Sequence, residues 1–392
     1  MASKQKIAFA CQRYGLEVNG GSELHCRQVA ERLSAFYDVT VYTTCAQDYV
    51  TWKNEYEPGV EEINGVHVKR YAVKKERDSR TFSLYSKMVF SNVGHLDAVE
   101  QRWIDAQGPY CPEAIDALAQ EASQYKTVFF MTYLYYLTAR GMPLGLPNAA
   151  LIPTVHDEPP VYLRVYDDVF ANARAIAWNT PEERAFANKR FPVTAGIPGD
   201  IFGVGVDVPR GELPELPESI RGCDYIVYAG RIDESKGCAE MFDFFQRYKR
   251  EHGGDLKLVL MGKEVLSVPE HPDIIHLGFV SEEMKFAVMA NSLALVLHSR
   301  FESLSMVVLE SMIMGRPVLV SGQCEVLKGH CVRSNAGLYF NNYPEYAAMV
   351  DYLQTHPREY AIMRTNGKKY VEENYKWDVI LEKYIKLIDS IG

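Results

Sequence analysis

Two carboxylates and two cations carry most of the chemistry in this chain. Glu302 and Glu310 are separated by seven residues within S-R-F-E-S-L-S-M-V-V-L-E-S-M-I-M-G-R-P, residues 299–317. The first sits in a polar turn and the second about two turns along the helix that follows, whose first N–H groups have no partner inside the helix. Such a helix start favours an anion. Together the stretch can hold a sugar hydroxyl, a ribose and a phosphate. The cations Arg231 and Lys236 lie in A-G-R-I-D-E-S-K-G, residues 229–237. They match a diphosphate and can stabilise it as a leaving group without a metal. Gly230 and Gly237 let the backbone come close to a ligand. The competing reading of this loop is a set of solvated charges, with Arg231 and Lys236 paired to Asp233 and Glu234.

The elements that must position these residues follow from periodicity. Leu293–Leu297 reads as a strand buried on both faces, and a helix runs from Leu304 to Met314, capped by Ser303 or Ser305 and stopped by Gly315 and Pro317. The second half repeats the alternation, with strands at 225–229, 257–261, 274–277, 317–320 and 337–340 and helices near 237–251, 282–291, 343–353, 357–374 and 377–391. In the first half, strands at 6–11, 38–44, 65–73, 127–132, 149–155 and 175–178 flank a glycine-bearing loop at 15–21 and a helix at 22–36. Segment 74–112 is partly charged and partly helical. The β-α-β pattern implies mostly parallel, doubly wound sheets, with ligands at the carboxyl ends of the strands. The proline-rich, acidic stretch P-R-G-E-L-P-E-L-P reads as a linker. The expected organisation is therefore a domain at 1–207, a linker at 208–222, a second domain at 223–375 and a closing helix at 376–392 that packs back on the first.

A chain of 392 residues is too long for one comfortable core and long enough for two. Its net charge of -9 disfavours nucleic-acid binding. No apolar run approaches a membrane span, and the start, M-A-S-K-Q-K, has no signal-peptide core. Eight scattered cysteines without a C-x-x-C pair read as reduced thiols in a cytoplasmic protein.

G-R-x-D-x-x-K-G, then M-G at Gly262, L-G-F-V at Phe279 and Val280, F-E-S-L-S-M-V-V-L-E and G-x-P-V-L-V follow one another in order. This series closely resembles the retaining glycosyltransferases of family four, the glycosyl transferases group 1, and it covers nearly the whole second half. The resemblance implies the α/β GT-B fold of two Rossmann-like domains. It implies Arg231 and Lys236 on the donor diphosphate, Glu310 on the ribose hydroxyls, and Glu302 with the N–H groups of Ser303, Leu304 and Ser305 on the donor sugar and distal phosphate. Phe279 and Val280 would border the nucleobase.

The first half is less specific. Gly20 and Gly21 stand where the family has a glycine-rich loop over the donor phosphates; the other reading of them is a plain turn with Ser22 as helix cap. His156, in the strand-end turn H-D-E-P-P, matches a family histidine beside the reacting centre. G-V-G-V-D, residues 203–207, lacks the usual asparagine of its family counterpart. The aromatic run at 129–136 can stack on a sugar or pack a core. The basic cluster Lys69, Arg70, Lys74, Lys75, Arg77 and Arg80 reads as a solvated face or a contact for anionic lipid.

The expectation is a retaining, metal-independent transferase with no cofactor. Its donor would be a nucleotide diphosphate sugar. Its acceptor would be a saccharide, lipid-linked or other hydroxyl in surface polysaccharide or glycolipid synthesis, at the cytoplasmic face of a membrane. The alternative is a nucleotide-sugar binding or epimerase-type protein of the same fold.

Overall fold

The computed structural model describes residues 4–18, 20–91 and 97–391. The M-A-S start, Asn19 of the glycine-bearing loop, residues 92–96 within segment 74–112 and Gly392 lie outside the described residues. The chain forms two compact units: residues up to Val204 together with those from Ile380 onward, and Gly205–Val379. Residues 208–222 group with the second unit, where Ile220 is fully buried.

The first unit is built on β1 (Lys6–Ala10), β2 (Asp38–Thr44), β3 (Gly59–Ile63), β4 (Val66–Tyr71), β5 (Thr127–Met131), β6 (Ala149–Ile152), β7 (Ala175–Trp178) and β8 (Gly199–Ile201). Their order is β3-β4-β2-β1-β5-β6-β7-β8. Helices α1 (Gly21–Leu33), α2 (Ser79–Phe90), α3 (Asp97–Gln107), α4 (Pro112–Glu121), α5 (Tyr136–Gly141), α6 (Val165–Ala171) and α7 (Pro181–Arg190) connect them. Strands β5, β6 and β7 are buried at every position, as continuous apolar runs in a covered parallel sheet should be.

Among the described strands of this sheet, β3 alone runs antiparallel, to its neighbour β4. The sequence reading missed it, because G-V-E-E-I is exposed and carries two adjacent glutamates, the marks of an edge strand. The turn that makes the hairpin is nonetheless written in the chain: Asn64 and Gly65 take φ of 49° and 80°, the positive values a two-residue hairpin turn needs.

The second unit carries β9 (Tyr225–Ala229), β10 (Lys257–Met261), β11 (Ile274–His276), β12 (Ala294–Leu297), β13 (Val318–Ser321) and β14 (Gly337–Phe340), in the order β11-β10-β9-β12-β13-β14 and all parallel. Its helices are α8 (Cys238–His252), α9 (Glu282–Asn291), α10 (Met306–Ile313), α11 (Glu325–Ser334), α12 (Tyr343–Thr355) and α13 (Pro357–Asn374). The last helix, α14 (Trp377–Ser390), passes into the first unit from Ile380 onward. There the Tyr384 ring lies 5.7 Å from Phe129 and 4.9 Å from Phe202, and Lys383 donates to Ile201 O at 2.6 Å. No described helix is long and apolar enough to cross a membrane.

Two helix starts differ from expectation. Helix α1 begins at Gly21, and Ser22 lies inside it, donating to Glu23 Oε2 at 2.8 Å instead of capping. Helix α10 begins at Met306, two residues later than its periodicity suggests. Ser305 occupies the cap position in a left-handed conformation and makes no capping bond with its side chain. A serine held at φ 64° costs of order 1–2 kcal/mol, so the surrounding packing has to enforce it.

Two first-half surfaces also resolve into ordinary structure. Phe129, Phe130, Met131 and Tyr133 are core residues, with Phe129 stacked on Phe9 at 4.9 Å. The basic cluster breaks into separate partnerships: Lys69 with Glu121, Arg70 with Glu61, Lys74 with Glu113, and Arg77 with the carbonyl oxygens of Tyr49 and Gln107.

Candidate functional site

The strand order of the second unit reverses between β9 and β12. At such a switch point the two flanking strands send their loops to opposite sides and leave a crevice at their carboxyl ends. The β9 loop carries Gly230, Arg231, Lys236 and Gly237, and the β12 loop carries residues 298–305.

In the β9 loop, Asp233 organises the turn. Its carboxylate accepts from Lys236 N at 3.0 Å and from Ser235 Oγ at 2.7 Å, and it pairs with the Arg231 guanidinium. Burial pushes the Asp233 carboxyl up, but these bonds and the Arg231 charge outweigh it and hold the group below its usual range. Arg231 thus pairs with Asp233, as the loop-charge reading held. Lys236 does not pair with Glu234: its Nζ reaches across to Glu302 Oε1 at 2.7 Å. Burial alone would lower the lysine pKa, and the Glu302 carboxylate more than offsets this, so Lys236 stays charged.

Two glycines are demanded by backbone packing as well as by any ligand. Gly237 has φ 71°, and a Cβ there would lie 2.3 Å from His298 O. Gly262, at the end of β10 with φ 137°, would place a Cβ 1.9 Å from Gly230 O.

On α10, Glu310 is nearly buried and pairs with Lys285 Nζ at 2.9 Å, which also donates to Glu282 at 2.8 Å. Burial raises the Glu310 pKa despite the pull of Lys285. Lys285, on α9, is the site cation that the sequence reading missed. No local spacing links it to Glu310, although its pair with Glu282 three residues earlier is an ordinary helix signal. At the start of α10, Leu304 and Ser305 are buried, and Ser305 Oγ has no hydrogen-bond partner among the described residues. Phe279 is 76% exposed, an aromatic face open to solvent, and Val280 beside it is half-buried.

The first unit places its own predicted residues separately. Gly20 precedes α1, next to the buried pair Arg13–Glu23 at 2.6 Å. A Cβ on Gly21 would meet nothing within 4 Å, so packing does not require glycine there. His156 Nε2 lies 3.5 Å from Glu158 Oε2, and Glu158 Oε1 accepts from the Tyr133 hydroxyl at 2.7 Å. Burial pushes the Glu158 carboxyl up, and the hydrogen bond and charge of His156 with the Tyr133 hydroxyl bring it below its usual range. Just before His156, the Val155 N–H is held by the buried Glu183 at 2.7 Å.

The crevice loops, Gly262, Phe279 and both glutamates fall inside one segment, and residues 223–355 match the family model of the glycosyl transferases group 1. That match lies wholly within the second unit and takes in β9 through α12. A 31% identical relative, Glycosyltransferase 1 domain-containing protein 1 of Xenopus tropicalis, aligns over 178 residues, 42% of this chain. The alignment spans about half, 49%, of that relative.

Solved structures extend the likeness in fold from that segment to the whole chain. The sucrose-phosphate synthase of Thermosynechococcus elongatus matches with a TM-score of 0.68 at 16% identity, covering 99% of each chain. The E. coli trehalose-6-phosphate structure bound with UDP-2-fluoro glucose gives 0.72 at 13%, covering 99% of this chain and 100% of its own. A lipopolysaccharide outer core galactosyltransferase, WaaB, gives 0.61 at 14%, covering 98% and 99%. The fold is GT-B.

Proposed function

We propose that this protein transfers a sugar from a nucleotide diphosphate sugar to an acceptor hydroxyl, with retention at the anomeric carbon and without a metal. The observation that carries the reading is the Lys236–Glu302 pair at the switch point of the second unit, inside the segment that matches group 1, with Arg231 on the same loop as Lys236 and Glu310 one helix further on. Arg231 and Lys236 take the diphosphate, Glu302 the donor sugar, and Glu310 the two vicinal ribose hydroxyls, which a carboxylate can accept together. Gly230, Gly262, Phe279 and Val280 border the nucleotide, and the start of α10 at Ser303, Leu304 and Ser305 faces the distal phosphate.

In the reaction, the bond from the anomeric carbon to the diphosphate breaks and a bond to the acceptor oxygen forms on the same face. The acceptor proton passes to the departing phosphate. Fixed cations stabilise the charge that develops on the leaving group, so the protein's share is orientation and preorganised charge. The first unit takes the acceptor, with His156 as its reacting-side histidine and Gly20–Gly21 as its glycine loop. Surface polysaccharide or glycolipid synthesis at the cytoplasmic face of a membrane is the setting we propose.

Thermal shifts with UDP, GDP, ADP and their sugars test the donor. A ligand at 100 times its Kd adds about 2.7 kcal/mol of apparent stability, so one base should raise the melting temperature clearly above the others. Incubating that donor with acceptor sugars and reading the anomeric configuration by NMR tests the transfer. No shift with any of the three diphosphates, or an inverted product, would overturn the reading. Release of diphosphate without any acceptor would instead identify a hydrolase.

A further inference from the structure

The segment H-C-V-R-S-N, residues 330–335 at the end of α11, has no part in the reaction above. His330 in this segment is completely buried, and both ring nitrogens are engaged. Nε2 lies 2.8 Å from Leu304 O, and Nδ1 lies 3.0 Å from the Tyr370 hydroxyl. A carbonyl oxygen only accepts, so Nε2 carries the proton and Nδ1 accepts from Tyr370. Burial pushes the ring pKa down to about 3, which keeps it neutral at physiological pH. Tyr370, on α13, is itself held: Arg333 Nε donates to its oxygen at 3.3 Å, and the Tyr375 hydroxyl lies 3.3 Å away.

The Leu304 C=O and the Ser305 N–H are the two ends of one planar trans peptide and point in opposite directions. A carbonyl fixed on His330 therefore turns the Ser305 N–H away from α11. The left-handed backbone at Ser305, and a buried Ser305 Oγ without a partner among the described residues, belong to the same turn.

We propose that His330 is a positioning residue for nucleoside diphosphate binding: in the tautomer set by Tyr370 it holds the Leu304 carbonyl and thereby aims the Ser305 N–H and hydroxyl at the distal phosphate. The inference rests on the donor reading above and adds a residue that does not touch the donor.

The test is calorimetric titration of the full chain with UDP, GDP and ADP, and with the monophosphate of whichever base binds. His330→Phe is expected to weaken the diphosphate by about tenfold or more, the scale of one lost hydrogen bond in a binding site, and to leave the monophosphate nearly unchanged. His330→Gln, which retains an N–H donor, should recover most of the loss. Tyr370→Phe, a smaller change that frees the tautomer, should give a milder loss with the same split between diphosphate and monophosphate. Equal losses for both nucleotides in all three variants would mean a purely structural role and overturn the inference, as would wild-type affinity in His330→Phe. If the wild type binds none of the three diphosphates, the donor reading falls and takes this inference with it.

Discussion

Lys236 and Glu302 meet across the switch point of the second sheet, Nζ donating to Oε1 over 2.7 Å although 66 residues separate them in the chain. Each holds the other ready: the carboxylate keeps the lysine charged, and the lysine gives the carboxylate a partner in a half-buried place. Lys236→Ala should lower kcat by about a hundredfold or more, the scale of losing a preorganised charge partner. Initial rates with the donor that binds best check this. Near-normal turnover would remove Lys236 from the leaving-group machinery.

Lys285 and Glu310 give a pH signature. Glu310 already has its pKa raised by burial, with Lys285 pulling the other way. Removing the cation in Lys285→Met raises the carboxyl further, so it protonates at a higher pH than in the wild type. Lys285 and Glu282 of α9 are the charged groups that shape this titration. Ribose binding needs the ionised form to accept two hydroxyls. Measured between pH 8 and pH 5, nucleoside diphosphate affinity should therefore fall off at a higher pH in Lys285→Met than in the wild type, with Lys285→Arg behaving as wild type. Parallel binding curves for variant and wild type across that range would refute the role given to Lys285.

Gly262 makes a stability prediction. Its φ of 137° and the 1.9 Å approach of a Cβ to Gly230 O leave no room for a side chain between the ends of β9 and β10. Gly262→Ala should destabilise the second unit by roughly 3 kcal/mol or more, as a strained backbone and a backbone clash act together. Denaturant melts would show it as a lowered midpoint. Gly21→Ala, where a Cβ meets nothing within 4 Å, should leave stability within about 0.5 kcal/mol.

Each unit holds a buried neutral histidine whose contribution to stability is lost in acid. Burial pushes His25 in the first unit down to about 4 and His330 in the second down to about 3. Unfolded, each histidine takes up a proton near pH 6.5, whereas the native state resists until its own lower pKa is reached. The unfolded state therefore binds more protons in this window, and stability falls as the pH drops below about 6.5. Each histidine contributes up to about 1.4 kcal/mol per pH unit, continuing to about pH 4 for His25. In the first unit the buried Glu183, pushed up to about 8, acts with the opposite sign over this range, so the histidine's share is read as the difference between wild type and His25→Leu in calorimetric melts at pH 7.5, 6 and 5. His25→Leu should shift the slope of stability against pH by about one proton toward greater stability in acid, and an unchanged slope would contradict the buried neutral state of His25.

Much of the site was legible in the chain because its parts are local. G-R-x-D-x-x-K-G lies on a single loop, the E-x7-E spacing runs from one loop into the helix that follows it, and β9, β10 and β14 have the bounds their apolar runs suggest. The hairpin strand β3 escaped because an exposed edge strand has no apolar period to read, although Asn64-Gly65 announced its turn.

By itself the sequence determined residue types, strand and helix periods, and which charges share a loop. Pairing across the sheet it could not determine, because the partners are brought together only by strand order. That is why Lys236 found Glu302 instead of Glu234, and why Lys285 came to Glu310 without any local signal. The turn at Ser305 is the clearest case. A serine at a helix start predicts a side-chain cap, yet Ser305 is left-handed and uncapped, and a buried histidine 25 residues further on holds the carbonyl just before it. A hydrogen bond made in a dry interior outweighs the local preference of one residue, and only the tertiary fold decides which bonds are dry.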